Sequence, residues 1–182
     1  NVNPSTTYGL TGGAGYSKLR LGGSFGDLYG RTIQTDAQGR MVVDNTTHLP
    51  VFVDSLFGNS TPKFLLGWSN TFTYNRFTLS ALVDGKFGGQ AFSITEGYMD
   101  QMGVSERTGN ARDNGGTVAI NNAVTTTGQS WSGTVGASDY YKAIGGKTPA
   151  GSQYVYDATT VRLRELSISY QIPVKSKVVR DF

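Results

Sequence analysis

The stretch that most constrains the fold runs from Lys63 to Gln90, where two strand-length segments flank the corner Tyr74-Asn75-Arg76. In the first, Phe64, Leu66, Trp68, Phe72 and Tyr74 share one parity, with Asn70 the only interruption. Gly67, Ser69, Thr71 and Thr73 share the other with a lone Leu65. In the second, Phe77, Leu79, Ala81, Val83 and Phe87 alternate with Thr78, Ser80, Asp84 and Lys86, joined by Leu82. A period of two marks a strand whose two faces meet different surroundings. The pattern predicts a hairpin over 63–87, its aromatic face toward lipid and its small, polar face toward a wet interior. Each segment is about 11 residues long, whereas soluble strands are commonly 5 or 6 and membrane strands roughly 9 to 11. A Lys facing lipid at mid-bilayer costs about 2–4 kcal/mol, and Lys86 falls on the polar face. Trp68 and Tyr74 suit interfacial levels, where amphipathic rings are favoured.

A third strand is expected over 159–173. Leu166, Ile168, Tyr170 and Ile172 share one parity there, but upstream the phase reverses, with Val161 and Leu163 odd and Arg162 and Arg164 even. A β-bulge near Glu165 would restore one apolar face by shifting the register one residue. Pro173 stops the strand, and 174–182 reads as a turn followed by an incomplete segment.

Composition does not separate a soluble β protein from a membrane one. Only 37% of residues are hydrophobic and the mean hydropathy is −0.27, yet barrel strands show lipid only every second residue. No run approaches the roughly 20 apolar residues of a spanning helix. The net charge of +3 is dispersed without a basic run, so no nucleic acid is expected as a partner. Without cysteine, disulfides, zinc-thiolate sites and thiol catalysis are excluded. The chain opens on polar Asn1-Val2-Asn3-Pro4, with no signal peptide in view.

Elsewhere the sequence is less ordered. Residues 1–30 offer one modest strand at Tyr16–Leu21, and glycines 12, 13, 15, 22 and 23 read as turns, since no apolar strand and helix frame a phosphate loop. Residues 31–62 read as an irregular excursion with one small hairpin, a turn at Asp36-Ala37-Gln38-Gly39 followed by a short strand at Arg40–Val43. Asp36, Asp44 and Asp54 lack calcium-loop spacing, and His48 reads as a surface histidine in a turn. Residues 88–158 form the longest low-order region, with a helical turn or short helix at Ser93–Met102 and a turn cluster at 112–116. Trp131, Tyr140 and Tyr141 are the candidate substrate or partner contacts, with self-packing of the loop as the alternative. One His and no Cys leave little for a nucleophilic triad. A carboxylate pair among Glu96, Asp100, Glu106, Asp113 and Asp139 is conceivable, but nothing in the spacing singles out two, and the expectation is no enzyme, no metal and no cofactor.

An ordered series of short motifs resembles the C-terminal barrel half of SusC/RagA-type TonB-linked outer-membrane proteins. It runs Gly26-Asp27-Leu28-Tyr29-Gly30, the Asp36–Asp44 hairpin, Leu49-Pro50, Gly58-Asn59, Pro62-Lys63 and Phe64–Tyr74, with Gly67-Trp68-Ser69-Asn70 at its centre. It continues through Asp84-Gly85-Lys86-Phe87-Gly88-Gly89, Gly103-Val104-Ser105, Arg112-Asp113-Asn114-Gly115 and Arg162-Leu163-Arg164. The resemblance implies an all-β fold, antiparallel strands forming part of a large transmembrane β-barrel of about 22 strands with long extracellular loops. Residues 63–87 and 159–173 would be wall, and 31–62 and 88–158 extracellular loops. It further implies active import of glycans, oligosaccharides or peptides across a Gram-negative outer membrane. The partners would be a SusD-like surface lipoprotein and TonB, the latter acting on an N-terminal plug that these residues do not include. The chain is then expected to be part of a longer protein, because open strand edges in lipid leave backbone groups unpaired. A soluble β-sandwich carbohydrate-binding module is the competing expectation.

Overall fold

The computed structural model describes residues 7–8, 15–18 and 20–173, a mostly antiparallel β structure with a few short helices. The strands at the start are β1 (Thr7–Tyr8), β2 (Tyr16–Lys18), β3 (Asp27–Ile33), β4 (Val42–Val43) and β5 (Phe52–Asn59). Next come β6 (Phe64–Tyr74), β7 (Phe77–Phe87) and β8 (Gln90–Phe92), then helices α1 (Ile94–Met102) and α2 (Glu106–Asp113). β9 (Thr117–Thr125), β10 (Ser130–Gly136), α3 (Ala137–Ile144), a 3-10 turn at Gly151–Gln153, β11 (Val155–Asp157) and β12 (Thr160–Tyr170) complete the order. Leu19, glycines 12 and 13, and the 174–182 segment lie outside the described residues.

The chain divides into two compact units, Asn1–Thr61 with Gly89–Asp157, and Pro62–Gly88 with Ala158–Phe182. The first unit holds three sheets, ordered β1-β2-β3-β5, β10-β9-β4 and β11-β8. Its core is small: Val43, Ile120, Ala123 and Val135 are buried, with Met41, Leu49, Val118, Trp131 and Tyr140 packed around them. β4 reaches this core by pairing parallel to β9.

Two sequence readings need correction here. Residues 31–62 are not mainly irregular, because β3 and β5 pair antiparallel over Asp27–Ile33 and Phe52–Asn59. Both strands mix apolar and polar residues on each face, so neither shows a period of two. Residues 88–158 are not a low-order loop either; three helices, the β9–β10 hairpin and the antiparallel β8–β11 pair occupy them. The helix at α1 was expected, and its start is set by Ser93, which is extended and accepts the Glu96 N–H at 3.3 Å. Gly103 ends it in the left-handed conformation. The polar sequence of α2 carries no periodic signal; Ser105 caps it by accepting the Thr108 N–H at 3.3 Å.

The small turn at 36–40 forms as expected. Asp36 accepts the Gln38 and Arg40 N–H groups at 2.9 and 2.8 Å and pairs with the Arg40 guanidinium at 2.8 Å. Although desolvation works against its charge, these donors hold the Asp36 carboxyl below its ordinary value.

Candidate functional site

The second unit is a single sheet ordered β12-β7-β6, with three strands of eleven residues each. Residues directly opposite in a ladder share a face, so the register sorts every side chain. One face reads in rows across β6, β7 and β12: Tyr74–Phe77–Tyr170, Phe72–Leu79–Ile168, Asn70–Ala81–Leu166, Trp68–Val83–Leu163 and Leu66–Gly85–Val161, closed by Phe64–Phe87. The other face reads Thr73–Thr78–Ser169, Thr71–Ser80–Ser167, Ser69–Leu82–Glu165, Gly67–Asp84–Arg162 and Leu65–Lys86–Thr160.

The register shift between Leu163 and Glu165 is the bulge the phase reversal calls for. Arg164 is the extra residue, and its guanidinium reaches the polar face, where Nε meets Asp84 Oδ1 at 3.0 Å. Without that shift Leu166, Ile168 and Tyr170 would turn away from Val161 and Leu163.

On the outer strands β6 and β12 the large apolar side chains of this face are exposed, from Tyr170 at 48% to Tyr74 at 78%, while Ala81, Val83 and Phe87 on the central β7 are half-buried and Gly85 is buried. Rings gather at both ends, with Phe64 stacked on Phe87 at 4.6 Å and Phe77 tilted against Tyr170 at 4.6 Å. The Phe87 ring also covers Gly85, where a Cβ would fall 2.5 Å from it, so a larger residue there would push the ring aside. At the other end β6 and β7 join through Asn75-Arg76 alone, Asn75 taking φ 53°, the pattern of a II′ turn. The chain enters β6, leaves β7 and enters β12 at the opposite end, beside Phe64, Phe87 and Thr160. Among the described residues neither β6 nor β12 has a second neighbour, so both outer edges carry unpaired backbone groups.

The first unit contains a buried polar clamp. Asp100, fully buried on α1, accepts from Ser105 Oγ at 2.6 Å and from the Tyr154 hydroxyl at 2.8 Å. It also pairs with the Arg107 guanidinium from α2. Glu96, one helical turn earlier, lies 3.7 Å from Arg107 and accepts from the Tyr156 hydroxyl. The Arg107 guanidinium sits 4.8 Å from the Tyr154 ring centre. Burial works against the Arg107 charge, but the bond and charge of Asp100 outweigh it and raise its pKa. Burial, then the Asp100 bond, pushes the Tyr154 hydroxyl well above the usual phenol range. The donors around Asp100 come from Ser105, Arg107 and Tyr154, so the arrangement ties α1, α2 and the start of β11 together.

Of the five carboxylates considered for a pair, the structure brings together Glu96 and Asp100, one turn apart on α1; Glu106, Asp113 and Asp139 take no part in the clamp. Sequence reasoning missed Arg107 and Tyr154, although Glu96-x-x-x-Asp100 on one helix face was a usable signal. Trp131, Tyr140 and Tyr141 are half-buried rather than exposed. Trp131 and Tyr140 pack on the core cluster, which is the self-packing alternative. His48 is the partner sequence could not supply for Trp131, its ring stacked 4.4 Å away and 10° from parallel. Tyr141 makes an edge contact with Tyr140 at 5.5 Å. An open cleft of about 650 Å³ lies beside His48, lined by Thr47, Leu49, Thr134, Asp139 and Lys142. Among the described residues no group of three His, Asp or Glu is placed to hold a metal ion, and no helix is long and apolar enough to cross a membrane.

No protein-family model matches the chain, and no curated protein matches its sequence.

Proposed function

We propose that residues 62–88 and 158–173 are a portion of the wall of a transmembrane β-barrel in a Gram-negative outer membrane, part of a SusC/RagA-type nutrient importer. The observation that carries this reading is the sheet with one continuous apolar face, exposed on β6 and β12 and half-buried on the central β7, and one polar face. Monomeric soluble proteins rarely expose contiguous apolar patches beyond a few hundred Å². Strands of eleven residues are about 36 Å long at the usual rise, and at a tilt of about 45° they span about 25 Å, the height of a barrel's apolar band. Rings at both ends of the face suit the two interfaces.

Two further features support it. Open edges on β6 and β12 call for neighbouring strands, because lipid offers backbone groups no partner. The two-residue connection between β6 and β7 and the long chain segment 89–157 between β7 and β12 follow the asymmetry of short periplasmic turns and long outer segments. On this reading the corner faces the periplasm and residues 89–157 belong to the outer side. Import of oligosaccharides or peptides would draw its energy through TonB acting on a plug elsewhere in the protein, with a SusD-like lipoprotein capping the outer mouth. No residue of this chain need perform chemistry.

These residues carry no cysteine, so single replacements report on chosen positions once any cysteine elsewhere in the full protein is removed. In outer-membrane vesicles holding the full protein, Thr71→Cys should react with a water-soluble maleimide and Phe72→Cys should resist it. Faster labelling at Phe72 than at Thr71, or a detergent-free soluble monomer, would overturn the wall reading and favour the soluble carbohydrate-binding module.

A further inference from the structure

The polar face of the β12-β7-β6 sheet is not uniform along its length. Towards the Asn75-Arg76 corner its rows carry hydroxyls alone, Thr73, Thr78 and Ser169, then Thr71, Ser80 and Ser167. Thr71 and Ser80 lie 3.2 Å apart, and Thr73 and Thr78 3.3 Å, each hydroxyl keeping further capacity to donate or accept. The charges collect in the other half, where Asp84, Lys86, Arg162, Arg164 and Glu165 lie within three rows. The bulge is responsible, since its shift delivers Arg164 as well as Arg162 to the face that holds Lys86.

Asp84 takes Arg164 as its partner. Lys86 and Arg162 have no ion pair among the described residues. They occupy diagonal positions, Lys86 opposite Thr160 and Arg162 opposite Asp84, which puts their backbones about 7–8 Å apart. Two cations without an ion pair therefore stand side by side, and against Asp84 and Glu165 the half-face keeps a net charge of +1 (three cations, two carboxylates); the row of Ser69, Leu82 and Glu165 separates them from the two hydroxyl rows.

We propose that this half-face is a docking strip for an acidic oligosaccharide, Lys86 and Arg162 taking its carboxylates and the hydroxyl rows its sugar hydroxyls. A guanidinium binds a carboxylate through two parallel hydrogen bonds, and an ammonium as a point charge. Serine and threonine exchange hydrogen bonds with sugar hydroxyls as donors or acceptors. The hydroxyl rows favour a sugar over an acidic peptide, and the paired cations favour an acidic sugar over a neutral one. The strip rests on the wall reading, in which this face lines the lumen.

Leu82, which interrupts the polar face one row from Arg162, provides the reporter. In vesicles of the full protein, Leu82→Cys should be protected from a water-soluble maleimide by trigalacturonate, slowing the reaction about tenfold, and not by maltotriose. Lys86→Gln with Arg162→Gln should abolish that protection while Leu82→Cys stays reactive. Equal protection by the neutral sugar, protection by tetraglutamate without trigalacturonate, or no protection at all overturns the strip and leaves the wall intact. If Leu82→Cys is inert while Leu79→Cys reacts, the faces are inverted and the wall reading itself fails.

Discussion

The two compact units keep their apolar residues in opposite places. In the first, Val43, Ile120, Ala123, Ile144 and Tyr154 are buried, and Asp100, enclosed with them, accepts from Ser105 and Tyr154. In the second, the large apolar side chains of β6 and β12 are exposed, those of β7 are exposed or half-buried, and only Gly85 on these strands is buried. A fold that sequesters its apolar groups suits water; a sheet that displays a whole apolar face suits an apolar surrounding. The same chain thus carries two solutions to the hydrophobic effect, and each is open to a different kind of perturbation.

The largest expected effect falls on the clamp. Asp100→Ala leaves Arg107 and the Tyr154 hydroxyl without their shared acceptor, and removing one partner of a buried ion pair costs about 3–5 kcal/mol. Arg107 is one-third exposed, so the loss should lie near about 3 kcal/mol, read as denaturant-induced loss of protease resistance within residues 94–157. The 62–88 hairpin should be unaffected, and a loss shared by both units would break the comparison.

Leu79→Arg attacks the other unit. On the proposed wall reading Leu79 faces lipid near mid-bilayer, where a charge costs about 2–4 kcal/mol, measurable as reduced stability in lipid vesicles. Ser80→Arg, one residue along and on the polar face, should cost less than about 1 kcal/mol. Equal losses from the two substitutions would remove the distinction between the faces.

Tyr154→Phe is milder and depends on pH. The loss of one buried hydrogen bond is worth about 1–2 kcal/mol near neutrality. The folded state raises the Tyr154 pKa, so its stabilisation is complete below the ordinary phenol value of about 10 and is lost as pH rises beyond it. The parent should therefore lose stability above about pH 10, with the variant showing a flatter alkaline profile.

The smallest effect is expected from deleting Arg164. The remaining residues of β12 would run in unbroken alternation, with Leu163 and Leu166 still on the apolar face, so stability in lipid should change by less than about 1 kcal/mol. One residue inserted after Ser167 would instead turn Ile168 and Tyr170 to the wrong face. Proteolysis of vesicle-embedded protein separates the two outcomes.

The sequence alone determined the hairpin over 63–87, the two faces of its strands, the bulge before Leu166 and the start of α1 at Ser93. Each of these rests on contacts between near neighbours or on a period of two, and such signals survive in one dimension. Only the tertiary structure decided that 88–158 is folded, that Trp131 rests on His48, and that Asp100 meets Arg107 and Tyr154. The partners there are 54 residues apart for Asp100 and Tyr154 and 83 apart for His48 and Trp131 (131 − 48), on short elements with mixed faces. For such elements local preference is weak, and burial against distant residues selects the conformation.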